Sequence, residues 1–399
     1  MPQPLLQTVE AEAGAPDAWN RVQAALSAEP LALSIVLASP QAAFDAMPAR
    51  LGGPGPVIGC TTAGEIGAAG YTEGSIQGIG LPARDFAAET LLIGDLSALD
   101  GEAIISDVIR RRGALEAARP DWEHEFAFLL VDGLSHREDA LAGLLATGLG
   151  PVPLFGGSAA DGTRFLETRV LHGPGAGNGA APSATPSAAW HRNAAVLALV
   201  RTRCPIRVFK SDHLRPTATR MVVTAADPDR RIVRRINAEP AALEYARLLG
   251  KDPAQLTPFT FAAHPVVVRI GGRHHVRAIR QVADNGDLVF YAAIGEGMVL
   301  TLAEPQDMAA HLRGVLEGLA EGGGNGGANA ETRGNAPRAI LACDCVLRRM
   351  EARETQAAHA LSRLLGAHGV RGFSTYGEQY NAMHVNQTLT GVAIYPPPG

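Results

Sequence analysis

Short apolar runs closed by turn residues recur along this chain, and that pattern predicts buried β-strands. Residues 31–39 and 56–62 are two such runs, and the stretch between them, 40–52, is compatible with a short helix. Two strands are predicted over 74–81 and 86–96. The segment 100–118 has helical spacing, with Ile104, Ile105, Val108 and Ile109 on one side. Residues 126–134 are almost all apolar, as in a strand buried on both faces. A helix over 138–149, strands over 152–157 and 165–173, and strands over 194–202 and 206–210 follow. The stretch 173–188, rich in Gly, Pro, Ala and Ser, reads as a long hairpin loop.

The later part reads as two short strands in 220–236, a helix at 241–249 and an antiparallel meander at 266–270, 275–282 and 288–294. An amphipathic helix at 306–321, a flexible loop at 322–337, a strand at 338–347 and a helix at 351–368 complete it. Strands and helices are intermixed throughout, so the expected class is α/β (α+β), with mixed β-sheets flanked by helices. The expected domains are 25–236 and 237–395.

The last segment, 371–394, departs from an ordinary chain end. Tyr376, Glu378, Asn381, His384, Asn386 and Thr388 alternate with Phe373, Val385, Leu389, Val392 and Ile394. This predicts two strands whose polar groups share a pocket, as in a binding protein.

Composition narrows the possibilities. A net charge of −5 gives no electrostatic reason to expect a nucleic-acid partner. There is no run of 18 apolar residues, so no transmembrane helix is expected, and the start lacks a secretory pattern. Four cysteines in 399 residues do not make a disulfide framework, which fits a reducing cytoplasm.

Two glycine-rich strand ends are candidate binding loops. In Gly59-Cys-Thr-Thr-Ala-Gly-Glu-Ile66, Thr61 and Thr62 supply hydroxyls, and Glu65 could accept from a ligand amine; a tight packing turn reads equally well. Phe155-Gly-Gly-Ser-Ala-Ala-Asp161 adds Ser158. GxxxxGK[ST] and GxSxG signatures are missing, and no GxGxxG opens a helix after a strand with an acidic residue about 20 positions on, so no standard enzyme is indicated. Cys60 lacks a local base. Cys343 and Cys345 are spaced to share one strand face and could form an alternative metal site, but a structural zinc would need four ligands, and a buried core role is the favoured reading. Arg348 and Arg349 could clamp a carboxylate or propionate. His274 and His275 are adjacent and must face opposite ways.

Read in order, Gly59–Ile66, Gly70–Ser75, Phe155–Asp161, Ala342–Arg349 and Gly372–Ile394 resemble the FIST superfamily of bacterial sensory modules. The likeness extends to the stand-alone members that bind haem, sense nitric oxide and regulate a partner histidine kinase. The resemblance implies a cytoplasmic signal-transduction sensor holding haem b non-covalently, since no CxxCH is present. His384 is then the first candidate for the iron, followed by His264 and His275, with Arg348 on a propionate. The same fold could instead bind an amino acid or another small metabolite through Glu65, Thr61, Thr62, Ser158, Tyr376, Glu378 and Asn386. A thiol enzyme using Cys60 or Cys343 is the third reading.

Overall fold

The structure, a computed structural model, describes residues 4–173, 175, 187–270, 272–321 and 335–397. The loops expected at 173–188 and 322–337 lie for the most part outside the described residues.

Among the described residues the strands make four mixed or antiparallel sheets, and three of these repeat one topology. The first runs Gln7–Glu12, Ser75–Pro82, Leu31–Ala38, Val57–Thr61. The second runs Phe86–Ile93, Ala195–Thr202, His124–Val131, Leu154–Ser158. The third runs Ile206–Ser211, Leu389–Ile394, Ala339–Cys345, Val370–Thr375. In each, the last two strands are parallel and the other neighbours antiparallel.

Each sheet is completed by a hairpin from another. Glu65–Gly67 and Gly70–Thr72 leave the first sheet and pair with Val370–Thr375 in the third. Glu378–Tyr380 and Met383–Val385 leave the third and pair with Leu154–Ser158 in the second. Val170–Gly173 and Ala189–His191 leave the second and pair with Val57–Thr61 in the first. The exchange is therefore a closed cycle of three.

Period-two alternation explains how these sheets pack. Leu33, Ile35 and Leu37 point into a core shared with Phe126, Phe128, Leu130, Val196, Val200, Leu341, Cys343 and Val392 from the other two sheets. Phe128 and Phe155 stack there at 4.7 Å. The residues between them turn the other way, onto helices: Ala127, Leu129 and Val131 face Gly101–Ala118 and Glu138–Leu149. Strands buried on both faces read as continuous apolar runs, which is why they are legible in the sequence.

The fourth sheet is built from residues inserted between the first two chain segments of the third unit. It orders Arg273–Arg277, Val266–Ile270, Val299–Pro305, Leu214–Asp227, Ile232–Ile236, Leu288–Phe290 and Ile279–Val282 around its own core. The boundary expected near residue 237 falls inside this outer sheet, where Ile232–Ile236 pairs with Glu239–Pro240.

Several local expectations need correction. Ile109 is 55% exposed, because the buried stripe of its helix is Ile104, Val108 and Leu115. Residues 40–52 hold only the 3₁₀ turn Phe44–Ala46. The strand expected from 165 begins at Val170, since the amides of Phe165, Leu166 and Glu167 wrap around the Asp161 carboxylate instead. The first strand of 220–236 is the long Leu214–Asp227. The strand at 338–347 stops at Cys345, so Arg348 and Arg349 belong to the helix Val346–Glu354, which precedes Ala358–Ala367.

Candidate functional site

The three crossovers leave the inner strands at one end of the shared core and bond to each other. Ala160 N–H donates to Thr61 O (2.9 Å) and Gly162 N–H to Thr62 O (3.1 Å). Ala63 N–H donates to Ser374 O (2.9 Å), and Ser374 N–H to Gly64 O (2.7 Å). Ser158 N–H donates to Gly377 O (2.8 Å). This hub gathers Thr61, Thr62, Glu65, Ser158, Tyr376, Glu378, His384 and Asn386, all of them buried. The polar groups of the C-terminal segment expected to share a pocket meet here, apart from the exposed Asn381, but most of them are spent on one another.

Two of the crossovers carry the same device. Thr62 donates to one oxygen of Glu65, three residues on, and the other accepts from Ser75 N–H (3.1 Å) and Oγ (2.9 Å), ten residues on. Thr375 donates to Glu378, whose second oxygen accepts from Thr388 N–H (3.2 Å) and Oγ1 (2.6 Å), at the same spacings. Both carboxylates thus pin the two ends of an exchanged hairpin. Burial raises the pKa of each, that of Glu378 to about 8. In the remaining crossover Asp161 accepts from Tyr376 Oη and three loop amides, and burial first, then this bond, pushes the Tyr376 phenol up.

Beside the hub the outer sheet docks, forming a polar seam. Glu138 and Arg231 make a buried ion pair across it. Arg277 Nη1 donates to His384 O (3.1 Å), and Gln387 Nε2 to Ala262 O (3.1 Å). Arg280 lies 4.8 Å over the Phe165 ring, which stacks on Tyr376 at 4.3 Å. His384 sits between two amides, with Gln379 Nε2 3.3 Å from Nδ1 and Asn386 Nδ2 3.4 Å from Nε2. Burial lowers its pKa, so it is held neutral. Gln379 also donates to Ser158 Oγ (3.0 Å). Yet Gln379 Oε1, Asn386 Oδ1, Gln387 Oε1 and Arg277 Nε are buried with no partner among the described residues.

The remaining expected residues lie elsewhere or face inward. Arg348 does not present a clamp: its Nε donates to Asp344 (2.7 Å), its Nη1 meets His213 Nδ1 at 2.9 Å, and 2% of its side chain is exposed. His264 ends the helix Pro258–Ala263, half-buried. His275 is buried on Arg273–Arg277 while His274 is exposed, as strand alternation requires; burial brings the His275 pKa to about 4. Cys343 lies in the shared core and Cys345 in the apolar patch under the seam, with Ala63, Ala160 and Ala278. Burial keeps both thiols neutral, as it does Cys60. Among the described residues no three His, Cys, Asp or Glu side chains group as metal ligands.

His384, the first candidate for the iron, does not fit a haem in this conformation. His384 has no exposed surface, both its ring nitrogens face amides, and a Cβ on Gly377 would lie 2.7 Å from Nε2, leaving no face for a macrocycle. The residues sequence reasoning overlooked are Gln379, Gln387, Arg277, Glu138 and Arg231. A detectable signal for the first two was the repeated Thr-x-Gly-Glu with a hydroxyl ten residues on, which marks the segment around them as a second hairpin pinned like the first.

No helix among the described residues is long and apolar enough to cross a membrane. None of the curated proteins compared with the chain matches it. The FIST N domain family model matches residues 32–239 and the FIST C domain model residues 241–381, dividing the chain inside the outer sheet. Domains of this family are small-ligand-sensing signal-transduction domains, not typically enzymes. Both halves being present, the chain belongs to the FIST domain family.

Proposed function

We propose that this protein senses a small zwitterionic metabolite, an amino acid being the simplest case, at the seam between the hub and the outer sheet. One observation carries the reading: three buried amide oxygens and Arg277 Nε lack partners at one seam. Each such group costs about 1–3 kcal/mol when unpaired, so a ligand that pairs several at once gains strongly. An ammonium group suits the oxygens of Gln379, Asn386 and Gln387, and a carboxylate suits Arg277. Occupancy would tighten the outer sheet on the hub, and a partner signalling protein would read that shift.

Thermal-shift screening with the twenty amino acids tests this. A true ligand at a hundredfold its Kd stabilises by about 2.7 kcal/mol. Arg277→Met and Asn386→Leu should each abolish that stabilisation. A library without a single variant-sensitive hit refutes the reading.

The haem-bound, nitric-oxide-responsive version, answering to a histidine kinase, would require His384 to leave both amides and the Gly377 turn to open. An absorption spectrum of freshly isolated protein, with and without nitric oxide, decides it: a Soret band that moves on adding the gas establishes that version and displaces the amino-acid reading.

A further inference from the structure

Away from the seam, a cavity of about 330 Å³ opens between the exchanged hairpin of the first unit and the C-terminal helix pair. Tyr71 and Glu73 border it on one side, and Arg349, Arg353, His359 and Ser362 on the other. The hairpin lies within the FIST N match and the helices within the FIST C match.

Arg349 is the informative residue. Its side chain is 5% exposed. Its Nη1 donates to Glu65 O (3.3 Å) and Ser374 Oγ (3.2 Å), its Nη2 to Thr72 O (2.6 Å), and the guanidinium stands 4.9 Å over the Tyr71 ring. Those four groups are all neutral, and among the described residues Nε has no partner. A buried guanidinium that shares its carboxylate with a second arginine is only partly compensated. That carboxylate, Glu73, is 58% exposed, stands 3.4 Å from Arg349 Nη2, and pairs with Arg353 as well.

A second observation points the same way. The helix Ala358–Ala367 begins at the cavity with no side-chain cap and no acidic residue in its first turn. Its free N–H groups and the positive end of its dipole therefore face the same space as the two arginines.

We propose that this cavity binds a small anion bearing a carboxylate or phosphate group, held by Arg349, Arg353 and the helix start, with Glu73 as the internal competitor. Because its walls come from the two matched domains, a bound anion ties them together. This second site is independent of the seam.

Calorimetric titration of the full chain at constant ionic strength, with inorganic phosphate and separately with acetate, tests it. The expected result is saturable single-site binding of at least one. Glu73→Gln should bind about 3–10-fold tighter and Arg353→Gln about 3–10-fold weaker, the size expected of half-exposed charge pairs. Arg349→Met should abolish binding. Since that change removes bonds to two backbone carbonyls and the Ser374 hydroxyl and can unfold the protein, the two exposed positions decide. Phosphate without acetate assigns phosphoryl ligands, and acetate assigns carboxylates. Absence of saturable binding in both the native chain and Glu73→Gln overturns the proposal, as does an affinity that neither exposed substitution changes.

Discussion

Glu378 gives the most direct test of the hub. It has no exposed surface, and burial, the largest influence, pushes its carboxyl up to about 8. The hydroxyls of Thr375 and Thr388 pull it partly back, and Asp344 adds to the rise. In the unfolded chain it ionises near 4.5. Between these two values the native protein keeps a proton that the unfolded chain has released. The contribution to stability is complete below about 4.5 and is lost as pH rises through about 8. The slope in that window is on the order of 1 kcal/mol per pH unit. With about 2.1 cal/mol/K of unfolding entropy per residue over 399 residues, 1 kcal/mol moves Tm by about 1 °C if the chain unfolds as one unit. Glu378→Gln reproduces the protonated acid: its carbonyl accepts from Thr388 and its amide donates to Thr375 Oγ1. Paired calorimetric scans should therefore show the variant gaining on the native protein by about 1 °C per pH unit from roughly pH 5 to 8. Parallel curves would refute the claim that this carboxyl folds in protonated form. Glu65→Gln should behave with the same sign, since burial also raises the Glu65 pKa.

Two further changes probe the joints between units. Gly70 has φ +99°, and a Cβ there would lie 2.6 Å from the Ser362 carbonyl carbon, so Gly70→Ala should cost about 2–4 kcal/mol in denaturant unfolding. Arg231→Met leaves Glu138 buried and unpaired and should cost about 3–5 kcal/mol, most of which Arg231→Met with Glu138→Leu should restore; a double variant no better than the single would show that the pair is not the operative interaction.

The sequence revealed individual elements far better than their partners. The runs at 31–39, 56–62 and 126–134 were readable because both faces of those strands are apolar. The helix at 138–149 was read with its observed ends. Pairing was not readable, because Glu65–Gly67 and Glu378–Tyr380 are three residues each and bond to strands far away in the chain. The hub was partly visible: the hydroxyls and carboxylates of Thr62, Glu65, Ser158 and Glu378 stood out as a polar set. That they would satisfy each other, and that Arg348 would be drawn inward by Asp344, depends on sheets brought together by the exchange. Arg277 and Arg231 gave no signal, because an arginine on a strand or one of a pair in a turn looks like a solvated charge.

The cyclic hairpin exchange also constrains synthesis of the chain. The edge of Leu154–Ser158 is covered by Glu378–Tyr380, and that of Val370–Thr375 by a hairpin made near the start. While the ribosome is still translating the last helix, the second sheet exposes an uncovered edge, the sort that recruits stray strands or chaperones. Each matched half leaves one sheet without its exchanged hairpin, so fragments expressed apart would lack edge strands, and the native structure locks late.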